Sequence, residues 1–490
     1  MRYLTLMLCL TWLVTFQPVT GQPSKQNRPN ILWLIAEDMG PELACYGNPL
    51  VQTPNMDQLA REGRRYTHVY TTAPVCSPSR SAFMTGMYQT SIGAHNHRSH
   101  RSDGYQLPEG VRVLTDHFRA RGYFTGNIVE LTDNADEKFY QGTGKTDWNF
   151  AYNGAPFDTK HWSDLKNNQP FYAQINFSET HRGHDWNEAH LHVDRPVNPD
   201  DVILPPYYPN HPEARADWAQ YLNAIQALDK KIGFVLKKLE TDGIDENTIV
   251  IFFGDNGRAM VRGKQWPYES GLHIPMIIRL PTSLEKPIGF ERGTVDDRLI
   301  ASIDISATSL ALAGIDPPLL MQGRVFLGED ATPPRTFIFG GRDRGDETVD
   351  RIRTVRDKQY RYIRNYYPER PFLQTNRYKE FSYPMIALMR ELNAEGKLTP
   401  EQAYLLAPTR PEEELYDLEN DPYEINNLAA NPTYSHQLAV LRAALDTWLA
   451  ETNDQGSIAE PDSIPQYWND RAKERYDNEI KEMLEKRKQN

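Results

Sequence analysis

The chain has 490 residues, of which 39% are apolar, 24% charged and 11% aromatic, with a mean hydropathy of −0.65. These values exclude a fibrous or disordered chain and describe a soluble globular protein, with several domains or one large domain and an appendage. Lysine and arginine total 54 against 66 acids, a net charge of −12 and an isoelectric point near 5.6, so non-specific nucleic-acid binding is excluded and an anionic ligand must be held by a local cluster.

The N-terminus reads as an export signal. Met1-Arg2-Tyr3 is a short basic segment, Leu4 to Phe16 is mostly apolar, and Val19-Thr20-Gly21 is a small-residue site for cleavage after Gly21. The apolar run is shorter than the ~20 residues a spanning helix needs. No later segment is long enough either, so no membrane span is expected and the mature protein is read as exported: periplasmic, secreted or lumenal. Cys9 leaves with the signal, and the remaining Cys45 and Cys76 allow at most one disulfide.

Asn30 to Ala36 is a nearly continuous apolar run, the mark of a strand buried on both faces of a parallel sheet, and it stops at Glu37-Asp38. Pro54 opens a short helix that ends before Gly63, Val113 to Phe118 suggests another, and Tyr123 to Val129 reads as a strand. Phe171 to Phe177 is a further apolar strand, followed by Glu179-Thr180-His181. Trp218, Tyr221, Leu222, Ile225, Leu228, Ile232, Val235 and Leu239 recur at helical spacing within a helix over about 214–239. Thr248 to Phe253 is a second strongly apolar strand, ending on Gly254-Asp255-Asn256-Gly257. Beyond Pro333 the texture changes to short alternating runs, 336–339 and 360–363, which read as antiparallel strands. An amphipathic helix over His436 to Ala450 and a charged, solvated helical tail follow. The expected fold is α/β: a large, mostly parallel sheet flanked by helices over 22–330, a smaller α+β domain with an antiparallel sheet over 331–460, and a tail over 461–490.

In open α/β sheets ligands gather at the carboxyl ends of the strands. Three apolar strands here end in Glu37-Asp38, His181 and Asp255-Asn256, and the three carboxylates and one amide oxygen among them are hard donors suited to Ca²⁺ or Mg²⁺. Loss of Asp255 is therefore expected to abolish activity while leaving the fold largely intact.

Pro74-Val75-Cys76-Ser77-Pro78-Ser79-Arg80, with Thr85-Gly86-Met87-Tyr88 after it, resembles the C-x-P-x-R signature of the type I sulfatases of the alkaline phosphatase-like superfamily. Asn30 to Gly40, Thr248 to Gly257, Gly263-Lys264 and Glu414 to Pro422 resemble further segments of that family. The resemblance implies that Cys76 becomes formylglycine, made by a formylglycine-generating or sulfatase-maturating enzyme during export. It implies that Glu37, Asp38, Asp255 and Asn256 hold a cation, Ca²⁺ or Mg²⁺, with modified Cys76 completing the site. One hydroxyl of the hydrated aldehyde would attack sulfur, and the other would later expel sulfate. Arg80 and Lys264 would stabilise the sulfuryl charge, and His181 would protonate the leaving atom.

Two departures stand out: the first metal pair is Glu-Asp where the family commonly has two aspartates, and the family's Gly-Lys-x-His segment is absent. Lys145, in Gly144-Lys145-Thr146, is the nearest substitute and is carried as a sulfate contact. His97, Arg182, Arg342, Arg344 and Asp346 are candidates for reading an anionic sugar. The His181-Arg182-Gly183 segment resembles heparan N-sulfatases, and bacterial polysaccharide sulfatases are equally similar in flavour. The expected function is release of sulfate, O- or N-linked, from a sulfated carbohydrate. The alternatives are a phosphodiesterase or phosphonate monoester hydrolase of the same superfamily, and an inactive relative that only binds sulfated glycans.

Overall fold

The computed structural model describes residues 28–282, 284 and 289–488. The signal peptide read over residues 1–21 lies outside the described residues. Among them, nine strands form one mixed, mainly parallel sheet: β1 (Asn30–Ala36), β2 (Arg64–Tyr70), β3 (Phe124–Glu130), β4 (Thr159–His161), β5 (Phe171–Phe177), β6 (Thr248–Gly254), β7 (His273–Arg279), β8 (Thr294–Asp296) and β9 (Ile300–Ala301). The order across the sheet is β4-β3-β5-β1-β6-β7-β2-β8, with β9 also on β2. β7 runs antiparallel to both of its neighbours.

The central strands are the apolar runs of the sequence. Every residue of β1, β5 and β6 is buried, because helices cover both faces and no side chain can turn to water. Each large apolar side chain so enclosed favours folding by roughly 2 kcal/mol before chain entropy is counted. Trp33 of β1 meets Phe83, Tyr172 and Phe253 edge-on at centroid distances of 5.2–6.0 Å, which ties the helix Cys76–Thr85 to β5 and β6. That helix is buried along its whole length, and Ser306 of the helix Ser302–Leu312 bonds the Phe83 carbonyl. The opposite face carries the long helix Pro212–Asp242, closed by Gly243 in the left-handed conformation.

A second, antiparallel sheet of four strands follows: β10 (Ile338–Arg342), β11 (Ile352–Arg356), β12 (Tyr360–Asn365) and β13 (Glu413–Asp417). The helix Ser435–Glu451 packs on it through Leu438, Leu441, Leu445 and Trp448. The first of these strands starts at Ile338 rather than Thr336, and Gly341 N–H donates to the Thr72 carbonyl, fastening this sheet beside the start of the Cys76 helix. The tail is a helix, Ser463–Arg487, with none of its residues buried, and it lies against the molecule through Tyr476 and Asp477. No described helix is long and apolar enough to cross a membrane.

Candidate active site

Parallel pairing of β1 with β6 runs in register from Asn30 opposite Thr248 to Ala36 opposite Gly254, so the polar clusters that follow the two strands emerge side by side. Gly254 is required there: a Cβ would stand 2.7 Å from the Met39 carbonyl oxygen. Asp38 adopts a left-handed φ of 53°, uncommon outside glycine, and its N–H donates to Asp255 Oδ1 at 2.9 Å. Asn256 Nδ2 donates to Asp38 Oδ1 at 2.9 Å, and Lys264 Nζ to Asp38 Oδ2 at 2.7 Å. Burial alone would raise the Asp38 carboxyl; the Lys264 ammonium and the His181 ring hold it well below the usual carboxylate range.

Cys76 is the first residue of its helix, where N–H groups lack intrahelical acceptors, and its Sγ lies 3.5 Å from Asp38 Oδ1. One turn on, Arg80 donates through Nε to Asp255 Oδ2 at 2.9 Å and through Nη1 to Asn176 Oδ1 at 2.6 Å. Asn176 Nδ2 in turn donates to Asn127 Oδ1, and Asn127 Nδ2 to the Gly144 carbonyl at 2.7 Å. This relay fixes the loop that delivers Lys145 Nζ to 2.6 Å from Glu37 Oε2. Lys145 thus reaches the cluster, from a loop rather than from the strand β3. His181, in the turn after β5, places Nε2 3.9 Å from Asp38 Oδ2, with its ring stacked on Tyr378 at 6.3 Å.

The donor set fits a divalent cation. The potential ligand atoms of Asp38, Cys76 and Asp255 lie within 4.8 Å of one another, as do those of Glu37, Cys76 and His181. Asn256 Oδ1 is buried without a hydrogen-bond partner, an acceptor in want of a positive neighbour. Carboxylate and amide oxygens around a buried point are what hard cations select. Cys45 and Cys76 are both free thiols, so the single disulfide that the sequence allowed is not formed.

The cluster opens into a pocket of about 170 Å³ bordered by Cys76, His97, His181, Lys264, Asp346 and Tyr378. Asp346, also left-handed at φ 51°, receives His97 Nδ1 at 2.9 Å and the amides of Gln265 and Asn376 at 3.1 and 3.2 Å. Three arginines among the candidates for reading an anionic sugar have partners within the protein. Arg182 borders the pocket, but its guanidinium grips Asp217 at 2.7 Å through two nitrogens and also donates to the Ala259 carbonyl. Arg342 is turned to Thr348 and Asp350, and Arg344 to Glu460 and the Asp346 carbonyl. Each is buried and paired within the protein, as a buried guanidinium must be, and of the three Arg182 borders the pocket. Sequence reasoning passed over Tyr378 and Asn176. A strand-end asparagine beside the metal strand was the available signal for Asn176; nothing local marked Tyr378.

Comparison with known proteins bears on this geometry. A family model described as sulfatase matches residues 29–315, and one described as N-sulphoglucosamine sulphohydrolase, C-terminal, matches residues 259–375. An ulvan-active sulfatase of Formosa agariphila is 36% identical over 488 aligned positions, spanning 90% of this chain and 78% of that protein. Human N-sulphoglucosamine sulphohydrolase is 27% identical over 481 positions, spanning 89% and 92%. A solved structure of a protein with its substrate D-glucosamine-2-N,6-O-disulfate shares the fold at a TM-score of 0.60 and 19% identity, covering 88% of this chain and all of that one. The phosphonate monoester hydrolase of Agrobacterium radiobacter shares it at 0.59 and 17%, covering 87% and 96%.

Proposed function

The chain belongs to the sulfatase family, and from that premise we propose that it removes sulfate from a sulfated carbohydrate with a formylglycine made from Cys76 and a bound Ca²⁺, Mg²⁺ being the alternative ion. The observation that carries this reading is the convergence of Cys76 with Asp38 and Asp255, whose potential ligand atoms lie within 4.8 Å of one another, beside Arg80 and Lys264. Cys76 is 2% exposed, and burial pushes its thiol up to about 12. Burial disfavours the thiolate, which is the nucleophilic form. An unmodified cysteine is therefore a poor nucleophile in this setting.

When present, formylglycine supplies a geminal diol with a built-in exit for sulfate, and the cation supplies Lewis acidity. The remaining work falls to side chains already in place. Arg80 and Lys264 stand beside the two aspartates and set positive charge against the sulfuryl oxygens, and Lys145 supplies the charge that the missing Gly-Lys-x-His lysine would. His181, lowered to about 4 by burial and by Lys264, is neutral in the free protein. An oxyanion entering the pocket draws it back up and equips it to give a proton to the leaving oxygen.

The ulvan-active relative supports a sulfated polysaccharide as substrate, and an O-sulfate ester is the linkage we propose first. A second reading, an N-sulfate, is favoured by the match of residues 259–375 to the N-sulphoglucosamine sulphohydrolase model. Export through the N-terminal signal and maturation by a formylglycine-generating enzyme complete the proposal. Its test pairs mass spectrometry of the peptide spanning Cys76 with sulfate release from defined O- and N-sulfated saccharides. The expected result is an aldehyde at residue 76 in active protein, with no turnover by Cys76→Ala. A fully active sample carrying an unmodified thiol would overturn the mechanism.

A further inference from the structure

The last helix, Ser463–Arg487, buries none of its residues, yet it forms a wall of the pocket that holds Cys76. Trp468, Arg471, Ala472, Arg475 and Tyr476 line it, at the i, i+3, i+4, i+7, i+8 spacing of a single helical face. The helix is located by specific contacts. Arg377 donates to Asp477 Oδ1 at 2.6 Å and to Asn469 at 3.2 Å, Arg487 donates to Glu391 at 2.8 Å, and Tyr476 meets the rings of Tyr378 and Phe381. Trp468 lies under the Arg344 guanidinium at 6.0 Å.

Of the helix's six acids and six bases, the two that border the pocket are Arg471 and Arg475, whose exposed side chains also border a surface depression with Asp470 and Glu474. Neither has a carboxylate within ion-pair distance among the described residues, although the chain as a whole carries a charge of −12. Both are steadied by aromatic rings, Arg471 over Trp468 at 5.9 Å and Arg475 over Tyr476 at 5.1 Å, and Arg471 also donates to the Tyr467 hydroxyl at 2.9 Å. Two such held guanidinium groups leave their planar forks free for an oxyanion.

Resting on the sulfatase reading above, we propose that this helix is the selectivity wall of the site. Arg471 and Arg475 receive a second anionic group of the substrate, a carboxylate or a sulfate, while the first sulfate lies at Cys76. A substrate with a single anion leaves both arginines in water and gains nothing from them.

The test compares wild type with Arg471→Ala, Arg475→Ala and the double variant. The substrates are 4-nitrophenyl sulfate and glucosamine 2-N-sulfate, each with one anion, against glucosamine 2-N,6-O-disulfate and the disaccharides of glucuronate with rhamnose 3-sulfate and with glucosamine 2-N-sulfate. Calorimetric binding of the same compounds to Cys76→Ala protein, with and without the arginine changes, accompanies the kinetics. The expected result is a ten- to hundredfold loss of kcat/KM, carried by KM, for the two-anion substrates. The single-anion ones should change less than twofold, and Arg475→Lys should give partial rescue. Loss confined to the disulfate, or to the uronates, identifies the second anion as sulfate or as carboxylate. An equal loss on all substrates, or none on any, overturns the inference. Failure of the wild type to release sulfate from every compound would overturn the sulfatase reading instead, and the binding series still decides whether the arginines read the second anion.

Discussion

Asp255 is joined to two different systems, the candidate cation site and the buried Arg80. Arg80 is 1% exposed and contacts Asp255 through Nε and Nη2, so removing the carboxylate strands a guanidinium in the interior. The sequence-based expectation that loss of Asp255 spares the fold is thereby revised. Asp255→Ala should lower stability by about 3–5 kcal/mol, read as a shift of the denaturant midpoint, whereas Asp255→Asn should fold while losing at least about 100-fold in turnover. Chelation of the wild type should reproduce the activity loss alone, reversed by Ca²⁺; full activity after exhaustive removal of divalent ions would refute the cation site. His181 offers a separate prediction, since a sugar alcohol needs a proton to leave and nitrophenolate does not. His181→Ala should cost at least about tenfold more on a sugar sulfate than on 4-nitrophenyl sulfate, and equal losses would indicate a sulfate-binding role. At this scale the sequence showed Cys76, Arg80 and the strand-end acids, whose spacing is local. It did not show the pairing of Arg182 with Asp217 or Arg344 with Glu460, because those partners are 35 and 116 residues away and only folding brings them together.

The short helix Pro54–Glu62 has no side-chain cap of its own from Thr53. Its cap comes from the long helix: Asp229 accepts from Asn55 N–H, Asn55 Nδ2 and Met56 N–H at 3.2, 2.8 and 2.8 Å. The approach is so close that a Cβ on Gly233 would lie 2.4 Å from Asn55 Oδ1. Asp229→Ala should therefore destabilise the protein by about 2 kcal/mol in denaturant unfolding. Burial outweighs these hydrogen bonds and raises the Asp229 carboxyl to about 6. A carboxyl raised on folding adds stability below its unfolded value near 4 and loses it as pH rises through 6. The melting temperature of wild type relative to Asp229→Asn should accordingly fall between pH 4 and pH 6; a flat difference would show that the carboxyl titrates normally. Elements with continuous burial, such as β1, β5 and β6, were legible as apolar runs. A cap donated across helices leaves no trace in the local sequence.

For the molecule as a whole, the expected division into a parallel-rich sheet followed by a smaller antiparallel one is what the strand order displays. The last helix was legible as a charged, solvated helix, but its docking was not. Its polarity marked it as solvated, and its docking rests on ion pairs and rings that are themselves polar or half-exposed. Exposed ion pairs contribute about 0–1 kcal/mol each, so a chain ending at residue 462 should melt within a few degrees of the full-length protein. A drop of 10 °C or more would mean that the helix belongs to the cooperative core.

The burial of Cys76 has a consequence in time. If Cys76 is matured as proposed, a side chain 2% exposed in the finished protein is within a second enzyme's reach only before its neighbours arrive. Those neighbours include Asp255, just after β6, and Lys264, which borders the same pocket, and synthesis delivers both long after residue 76 has emerged. The span between the two events is the interval in which the thiol can be oxidised by another protein. A chain that closes its central sheet first carries its cysteine permanently, and unfolding is then the only way to reopen the opportunity.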